Sequence, residues 1–226
     1  MTEIDSLEAL DALGVLTDPL RRAAYRAVVG ASAPPVGRDE VAAELGVGRT
    51  LAAFHLDKLV DAGLLEVSHA RRSGRSGPGA GRPAKLYRRS AAEHAISVPP
   101  RDYESAGALL AEALDRVGAD ATLYQVARER GLAMGARAKP RADLVRALKA
   151  HGYEPVREGA RLRLRNCPFH ALATSHPPLV CGMNLALLAG LVEGAGITRW
   201  RPALEPTPGG CCVSFSTVRP SKSESS

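Results

Sequence analysis

A glycine-bounded break, Gly46-Val47-Gly48, most constrains what this chain can fold into. Before it, residues 38–45 have the apolar spacing of a short helix, and after it residues 49–62 repeat that spacing over a longer one. Gly63 then suits the left-handed residue that ends many helices. Two short helices joined by a glycine turn of three or four residues are typical of a helix-turn-helix, so the sequence predicts one here.

The second predicted helix has two faces of different chemistry. One face is apolar and is expected to pack on neighbouring helices. Its members are Leu51, His55, Leu56, Leu59 and Val60. The opposite face, which is available to a groove of DNA, carries Arg49, Thr50, Ala53, Phe54, Asp57 and Lys58. Upstream, Thr17-Asp18-Pro19 predicts a helix start, and that helix is expected to stop near Gly30.

The basic charge of the chain, formally +6, is concentrated in one segment. Residues 71–89 contain no acid, and their basic residues are Arg71, Arg72, Arg75, Arg82, Lys85, Arg88 and Arg89. Such a patch is typical of a surface that meets nucleic acid, although its Gly, Ser and Pro content also suits a linker. Strand-like patterns at 64–68 and 85–89 bracket the run and favour a β-hairpin wing whose arginines reach DNA.

Three stretches within residues 15–90, LTDPLRRAAYRAVV, VAAELGVGRTLAAFHLDKLVDAGLL and GRPAKLYRR, resemble the winged-helix transcriptional regulators loosely called ArsR-like. The resemblance implies a homodimer that binds double-stranded DNA at a palindromic operator. The residues expected to contact DNA are Arg38, Gly48, Arg49, Thr50, Ala53, Phe54, Lys58, Arg71, Arg72, Arg75, Arg82 and Lys85.

The C-terminal half begins after Pro99-Pro100 and is expected to be mixed helix and sheet. Helices are predicted at 102–117, 119–135, 141–150 and 177–191, with one or two helical turns at 169–175. Strands are predicted at 153–156, 161–165, 197–204 and 210–218, enough for a small antiparallel sheet. The first of these helices has an apolar stripe that suits either a dimer interface or an ordinary core helix. Its members are Leu109, Leu110, Ala113, Leu114 and Val117.

The expected fold class is therefore α+β, with a winged helix-turn-helix domain at 1–95 and a linker and dimerisation helix at 96–118. A cysteine-containing α+β sensor domain is expected at 119–218, and a disordered tail at 219–226. No run approaches the roughly 20 apolar residues that cross a bilayer, and the N-terminal MTEIDSLEAL is acidic. We expect a cytoplasmic protein with no membrane partner.

All four cysteines, Cys167, Cys181, Cys211 and Cys212, lie in the last third of the chain. In a reducing compartment they are expected to be free thiols, redox sensors or metal ligands. An antiparallel sheet would let them converge at one edge, although Cys211 and Cys212 would point to opposite faces of a strand. Spacing alone leaves zinc, an iron–sulfur cluster, a redox pair and inert buried thiols open.

The stretches NCPFHALA, HPPLVCGMN and PGGCCV, within residues 165–214, resemble the C-terminal region of SufR-type regulators. These are winged-helix repressors of iron–sulfur assembly genes that carry a cluster on cysteines. Cys167, Cys181 and Cys211 match three of that group's ligand positions. The resemblance implies an iron–sulfur cluster, of which the [4Fe–4S] type is the preferred expectation, and zinc is the alternative. The fourth ligand is open between Cys212, His170, His176 and a small molecule.

These patterns predict a DNA-binding transcriptional regulator, a repressor, controlled by a cluster or metal on its C-terminal cysteines. Within the same class, a zinc-binding or thiol-redox-responsive regulator is the alternative. An enzyme with Cys167 as nucleophile and His170 or His176 as base is disfavoured, because no second acid or oxyanion motif accompanies them. RNA binding is disfavoured because only 4% of residues are aromatic and could stack on bases.

Overall fold

The computed structural model describes residues 3–31, 33–70, 83–99, 101–137, 143–207 and 209–218. The chain divides into two compact units, Met1–Arg101 and Asp102–Ser226. The described residues form helices and two small antiparallel sheets, which confirms the α+β class. The predicted tail at 219–226 and the arginines of the basic run up to Arg82 lie outside the described residues.

The first unit consists of four described helices and a three-stranded sheet. In chain order these are α1 (Glu3–Gly14), a 3₁₀ turn (Val15–Thr17), α2 (Pro19–Gly30), β1 (Val36–Gly37), α3 (Arg38–Leu45), α4 (Arg49–Asp61), β2 (Leu65–Ala70) and β3 (Ala84–Arg89). The strand order is β1-β3-β2, with both pairs antiparallel. Of the two residues that could cap the predicted helix, Thr17 and Asp18, it is Asp18 that caps α2, because its carboxylate accepts the Arg21 N–H at 2.8 Å.

The turn between α3 and α4 follows from its glycines. Gly46 ends α3 with φ +66°, a left-handed conformation that glycine adopts at no steric cost, and Gly48 is the N-cap of α4. The Val47 N–H donates to the Ala42 carbonyl at 3.0 Å and closes the turn. Gly63, with φ +70°, follows the end of α4. The predicted helix boundaries are thus confirmed to within a residue.

The core of the first unit lies between α2, α3, α4 and the sheet. Its buried members are Ala24, Ala27, Val28, Val36, Val41, Leu56, Leu59, Leu64, Leu65 and Tyr87. The predicted inner face of α4 is confirmed at His55, Leu56 and Leu59 and is wrong at Leu51, which is 45% exposed. The inward direction of α4 is centred on Ala52 and Leu59, so Leu51 lies a quarter-turn to the side.

The second unit packs helices on a four-stranded sheet. Its elements are α5 (Tyr103–Val117), α6 (Asp120–Ala136), α7 (Leu144–Ala150), β4 (Pro155–Glu158), β5 (Arg161–Leu164), α8 (His170–Ser175), α9 (Pro177–Gly194), β6 (Trp200–Leu204) and β7 (Val213–Thr217). The strand order is β4-β5-β7-β6, antiparallel throughout. The core contains Leu144, Leu148, Tyr153, Leu162, Leu164, Cys167, Leu188, Leu191, Val192, Cys211, Val213 and Phe215.

The backbones of α6 and α9 touch through glycines. A Cβ at Gly131 would lie 2.1 Å from the Leu187 carbonyl oxygen, and one at Gly190 would lie 2.2 Å from the Arg128 carbonyl oxygen. Both distances are far shorter than any non-bonded approach of carbon to oxygen, and backbone atoms cannot swing aside as a side chain can. The two helices can therefore approach this closely only with glycine at these positions.

Among the described residues, α9 is the one helix whose length and composition would let it cross a membrane, with a mean hydropathy of 1.3 and 44% of it buried. The sequence predicts no such segment, because no run approaches the roughly 20 apolar residues that cross a bilayer. In the structure α9 packs along α6 and against the sheet.

Gly190→Ala is expected to destabilise the second unit by about 3 kcal/mol, the upper part of the range for overpacked cores. Trp200, the one tryptophan of the chain, lies in β6 and reports unfolding of this unit by its fluorescence in urea. The control is Gly107→Ala in α5, whose Cβ would meet only the mobile end of Leu172 at 3.2 Å and should change stability by about 1 kcal/mol or less. Equal urea midpoints for the two variants would contradict the close approach.

Candidate functional site

The outer face of α4 presents the side chains expected to meet DNA. Arg49, Thr50 and Lys58 are exposed, and Phe54 is an aromatic side chain 52% exposed. Ala53 is half-buried on the same face. The ring of Phe54 stands edge-on to that of His55, with centroids 5.3 Å apart. This face therefore combines cationic side chains with one exposed aromatic ring.

Two residues predicted to contact DNA share one acid. The Arg49 Nε lies 3.1 Å from the Asp39 carboxylate, and the Arg38 Nε lies 3.8 Å from it. All three side chains are more than half exposed, so these ion pairs contribute little to stability. Because water already screens them, either arginine can exchange the carboxylate for a phosphate at small cost.

Asp57 joins α4 to β3. Its carboxylate accepts hydrogen bonds from Lys85 and, at 3.0 Å, from the Tyr87 hydroxyl. Burial, and secondarily the bond to Asp57, raises the pKa of Tyr87 well above its usual range, so this hydroxyl stays a donor. Lys85, predicted to contact DNA, is therefore engaged by the protein itself. Sequence reasoning missed this bond because the three residues meet only through the register of β3.

The predicted hairpin after α4 is an antiparallel pair. β2 and β3 are in register from Leu65 opposite Arg89 to Ala70 opposite Ala84. Arg71, Arg72, Arg75 and Arg82, which are predicted to contact DNA, fall in the sequence between these paired ends, outside the described residues.

In the second unit all four cysteines line one cavity of about 170 Å³. The lining residues are Cys167, His170, Ala173, Thr174, Cys181, Gly210, Cys211 and Cys212. His170 therefore lies with the cysteines, as expected for an additional ligand. His176, the other candidate, is the N-cap residue of α9 and does not line this cavity.

The cysteines converge because three chain segments end at the same place. Cys167 follows β5, Cys181 lies in the second turn of α9, and Cys211 and Cys212 precede β7. The Cys211 N–H donates to the Leu164 carbonyl at 2.9 Å, which ties the last segment to the end of β5. The prediction that Cys211 and Cys212 lie in a strand, with side chains on opposite faces, is wrong, because β7 begins only at Val213 and both residues line this cavity.

Burial separates the thiols into two pairs. Cys167 and Cys211 are 8% and 4% exposed, whereas Cys181 and Cys212 are half-buried. A hydrogen bond with Cys211, together with burial, raises the pKa of Cys167. The pKa of Cys211 is lowered by Cys167 but raised more by its bond to Cys212 and by burial, so it is also raised overall. Both shifts favour the neutral thiol over the thiolate, so the binding of a metal here would release protons.

A buried polar pair stands behind the two inner cysteines. Asn184 on α9 is 0% exposed; its Oδ1 accepts from the Tyr153 hydroxyl at 2.6 Å. Its Nδ2 lies 3.2 Å from the Cys211 sulfur and 3.9 Å from the Cys167 sulfur. Sequence reasoning missed both residues. The available signal was an asparagine three positions after Cys181 in an otherwise apolar helix.

The donor set fits some metal groups better than others. Among the described residues, no three Cys, His, Asp or Glu side chains are grouped to hold a single metal ion. One zinc ion needs its ligands about 2.0–2.3 Å from a common point. A [4Fe–4S] cluster instead takes one thiolate per iron, so its ligands surround a volume. Four sulfurs around one cavity match the second requirement in kind and number.

Comparison with family models, with curated proteins and with solved structures found no match for this chain.

Proposed function

We propose that the chain is a dimeric DNA-binding transcriptional regulator, a repressor of the ArsR-like kind, whose operator binding is controlled by an iron–sulfur cluster on its C-terminal cysteines. One observation carries the DNA-binding part: two helices joined by a glycine turn are followed by antiparallel strands that bracket a basic run. In this proposal α3 and α4 form a helix-turn-helix and β2 and β3 form its wing, within a cytoplasmic protein.

In this arrangement α4 enters the major groove. Thr50, Ala53 and Phe54 face base edges, where an apolar or hydroxyl side chain reads a thymine methyl or a base acceptor. Arg38, Arg49 and Lys58 neutralise phosphates on either side. Gly48, at the start of the helix, would contact a phosphate through its backbone. The arginines of the basic run extend the interface to the flanking phosphates or the minor groove.

Replacing Arg71, Arg72, Arg75 and Arg82 with alanine should flatten the salt dependence of DNA affinity. The slope of log K against log salt should decrease in magnitude by about 0.9 for each phosphate that the variant no longer neutralises. The measurement is fluorescence anisotropy of a labelled duplex from the chain's own genomic context at several salt concentrations. A control with the same charge change replaces Arg130, Arg137, Arg146 and Arg201, exposed residues of the second unit. A slope that is unchanged, or equally reduced in the control, would contradict the wing.

The dimer is proposed to form through α5. One face of this helix has the heptad pattern, in which residues follow each other at alternating spacings of three and four. Its members are Tyr103, Ala106, Leu110, Ala113 and Val117. Leu110 is 66% and Val117 is 75% exposed, while Ala111 on the other side is buried. An ordinary core helix would not leave this face exposed. A dimer would carry two copies of α4, as a palindromic operator with half-sites in successive major grooves, about 34 Å apart, requires.

Leu110→Glu is expected to convert the dimer to a monomer, because it places a charge in the centre of the apolar face. Sedimentation should give the mass of one chain, and affinity for a palindromic operator should fall at least tenfold. Ser105→Glu adds the same charge to α5 outside the heptad face and should leave the dimer intact. A dimer that survives Leu110→Glu would refute this interface.

The cysteine cavity is the proposed sensor. Cys167, Cys181, Cys211 and Cys212 would hold the cluster, with His170 as the alternative to Cys212. The presence of such a cluster would depend on the supply of iron and on oxidants. The chain's own part is to connect the end of β5, the start of α9 and the loop before β7 through their thiolates. Ligation therefore changes which arrangement of these segments is populated.

Protein purified without oxygen should be brown, with absorption near roughly 400 nm and with iron and sulfide bound, as thiolate-ligated clusters have. Single Cys→Ser variants at 167, 181 and 211 should lose the colour while keeping the far-ultraviolet circular dichroism of the folded chain. Cys212→Ser and His170→Ala then distinguish the fourth ligand, and His176→Ala is the control outside the cavity. A colourless, zinc-loaded protein would reject the cluster in favour of the zinc alternative.

A further inference from the structure

Asn184 is a polar residue in the least polar part of the second unit. Its side chain is fully buried on α9, beside Leu187 and Leu188 along the same helix. A buried amide without partners costs about 1–3 kcal/mol by mutational measures, so its hydrogen bonds have to be accounted for individually. Three groups meet it: the Tyr153 hydroxyl and the sulfurs of Cys167 and Cys211.

The Tyr153 hydroxyl determines which end of the amide faces the sulfurs. In the described part of the chain, this buried hydroxyl has Asn184 as its only hydrogen-bond partner. If the amide were turned round, the hydroxyl would accept from the NH₂ group and its own hydrogen would have no acceptor. Donation from Tyr153 to Oδ1 satisfies both groups and directs the NH₂ group, with its two hydrogens, toward the two sulfurs.

An NH₂ group is matched to sulfur that has lost its proton. A neutral thiol is only a weak acceptor of an N–H bond. A thiolate, free or bound to metal, has negative charge and accepts N–H bonds well. The buried pair therefore stabilises the ligated form of the two cysteines more than their protonated form.

We propose that Asn184, held by Tyr153, is a positioning residue that donates both of its N–H groups to the metal-bound sulfurs of Cys167 and Cys211. The proposal rests on the metal site of the proposed function and adds to it the residues that favour occupancy by a thiophilic metal group. Partners behind the ligands typically change metal affinity by about 10- to 100-fold, and N–H bonds to sulfur help to set the reduction potential of clusters.

The test uses the reduced, metal-free full chain and Cd²⁺ as the probe, with binding followed by the cadmium–thiolate absorption. Asn184→Leu keeps the approximate size of the side chain and removes the donor, so affinity should fall about 10- to 100-fold. Asn184→Asp places a negative acceptor against the sulfurs and should lower affinity at least as far. Tyr153→Phe releases the amide and should give a smaller decrease.

A double variant separates positioning from folding. In Tyr153→Phe with Asn184→Leu both polar partners are replaced by apolar groups, so the metal-free protein should keep its urea midpoint or gain stability. Its Cd²⁺ affinity should nevertheless fall at least tenfold. Tyr124→Phe is the matched control, because it removes a hydroxyl that donates to the Pro178 carbonyl of the same helix at 3.2 Å. Tyr124 packs on Gly182, beside Cys181, but in the described part of the chain its hydroxyl is not hydrogen-bonded to a cysteine. Its affinity should stay within twofold of the parent.

The outcomes separate this proposal from the cluster itself. Parent affinity in the double variant would overturn the role of Asn184, as would a decrease in affinity that only mirrors a decrease in stability. If the parent binds Cd²⁺ but takes up no cluster, and the double variant is weakened tenfold, the cluster is rejected and the positioning role is supported. If a cluster assembles, its reduction potential should be more negative in Asn184→Leu. A parent chain that binds neither would overturn both.

Discussion

The backbone contact between α6 and α9 is the constraint on which the second unit depends. Gly131 and Gly190 remove the side chains that would keep the helices apart, so the carbonyl groups of one helix approach the other directly. This contact fixes α9, whose apolar surface then closes the core over the sheet. Because α9 also carries Cys181 and Asn184, the same contact determines where one wall of the cysteine cavity lies.

The polar pair of Tyr153 and Asn184 inside this core lowers the stability of the second unit relative to an apolar pair. Burial of Tyr153 and Asn184 brings no hydrophobic gain from their polar atoms, and each depends on the other for a hydrogen bond. An apolar pair of similar size would fill the space at no such cost. What the pair adds is a fixed set of N–H groups beside two thiols whose pKa values are raised by hydrogen bonds between the cysteines and by burial. In the proposed metal site, the N–H groups would stabilise the thiolates that replace these thiols.

The sequence predicts local structure well where glycine, proline or a capping side chain fixes the backbone. The bounds of α3 and α4 and the Asp18 cap follow from such residues. The errors arise where tertiary packing determines the position of a residue. Leu51 is on the flank of α4, and Cys212 belongs to a loop and not to a strand. The short strand β1 and the helix α1 have no pattern strong enough to predict them.

Interactions between residues far apart in the sequence account for most of what local patterns could not predict. Asp57 and Tyr87 meet through strand register, and Asn184 meets Cys167 through helix packing. Neither pair has a spacing that local patterns could reveal. The convergence of the cysteines was open to prediction, because antiparallel strands return the chain to the same sheet edge. Local patterns could not predict which residue donates a hydrogen bond to each sulfur, since that depends on the rotation of α9 about its own axis.

The proposed regulation needs an element that touches both the cavity and the helix of the proposed dimer interface, and α8 has this position. Its residues His170, Ala173 and Thr174 line the cysteine cavity, and its Leu172 packs against α5 at Gly107. The helix is six residues long and closely follows Cys167 and Pro168, so in the proposed site ligation of Cys167 would act on its first turn. Movement of α8 would in turn shift α5, whose exposed face is the proposed dimer interface. In the proposed regulator, the state of the cysteines would therefore act on the dimer through α8.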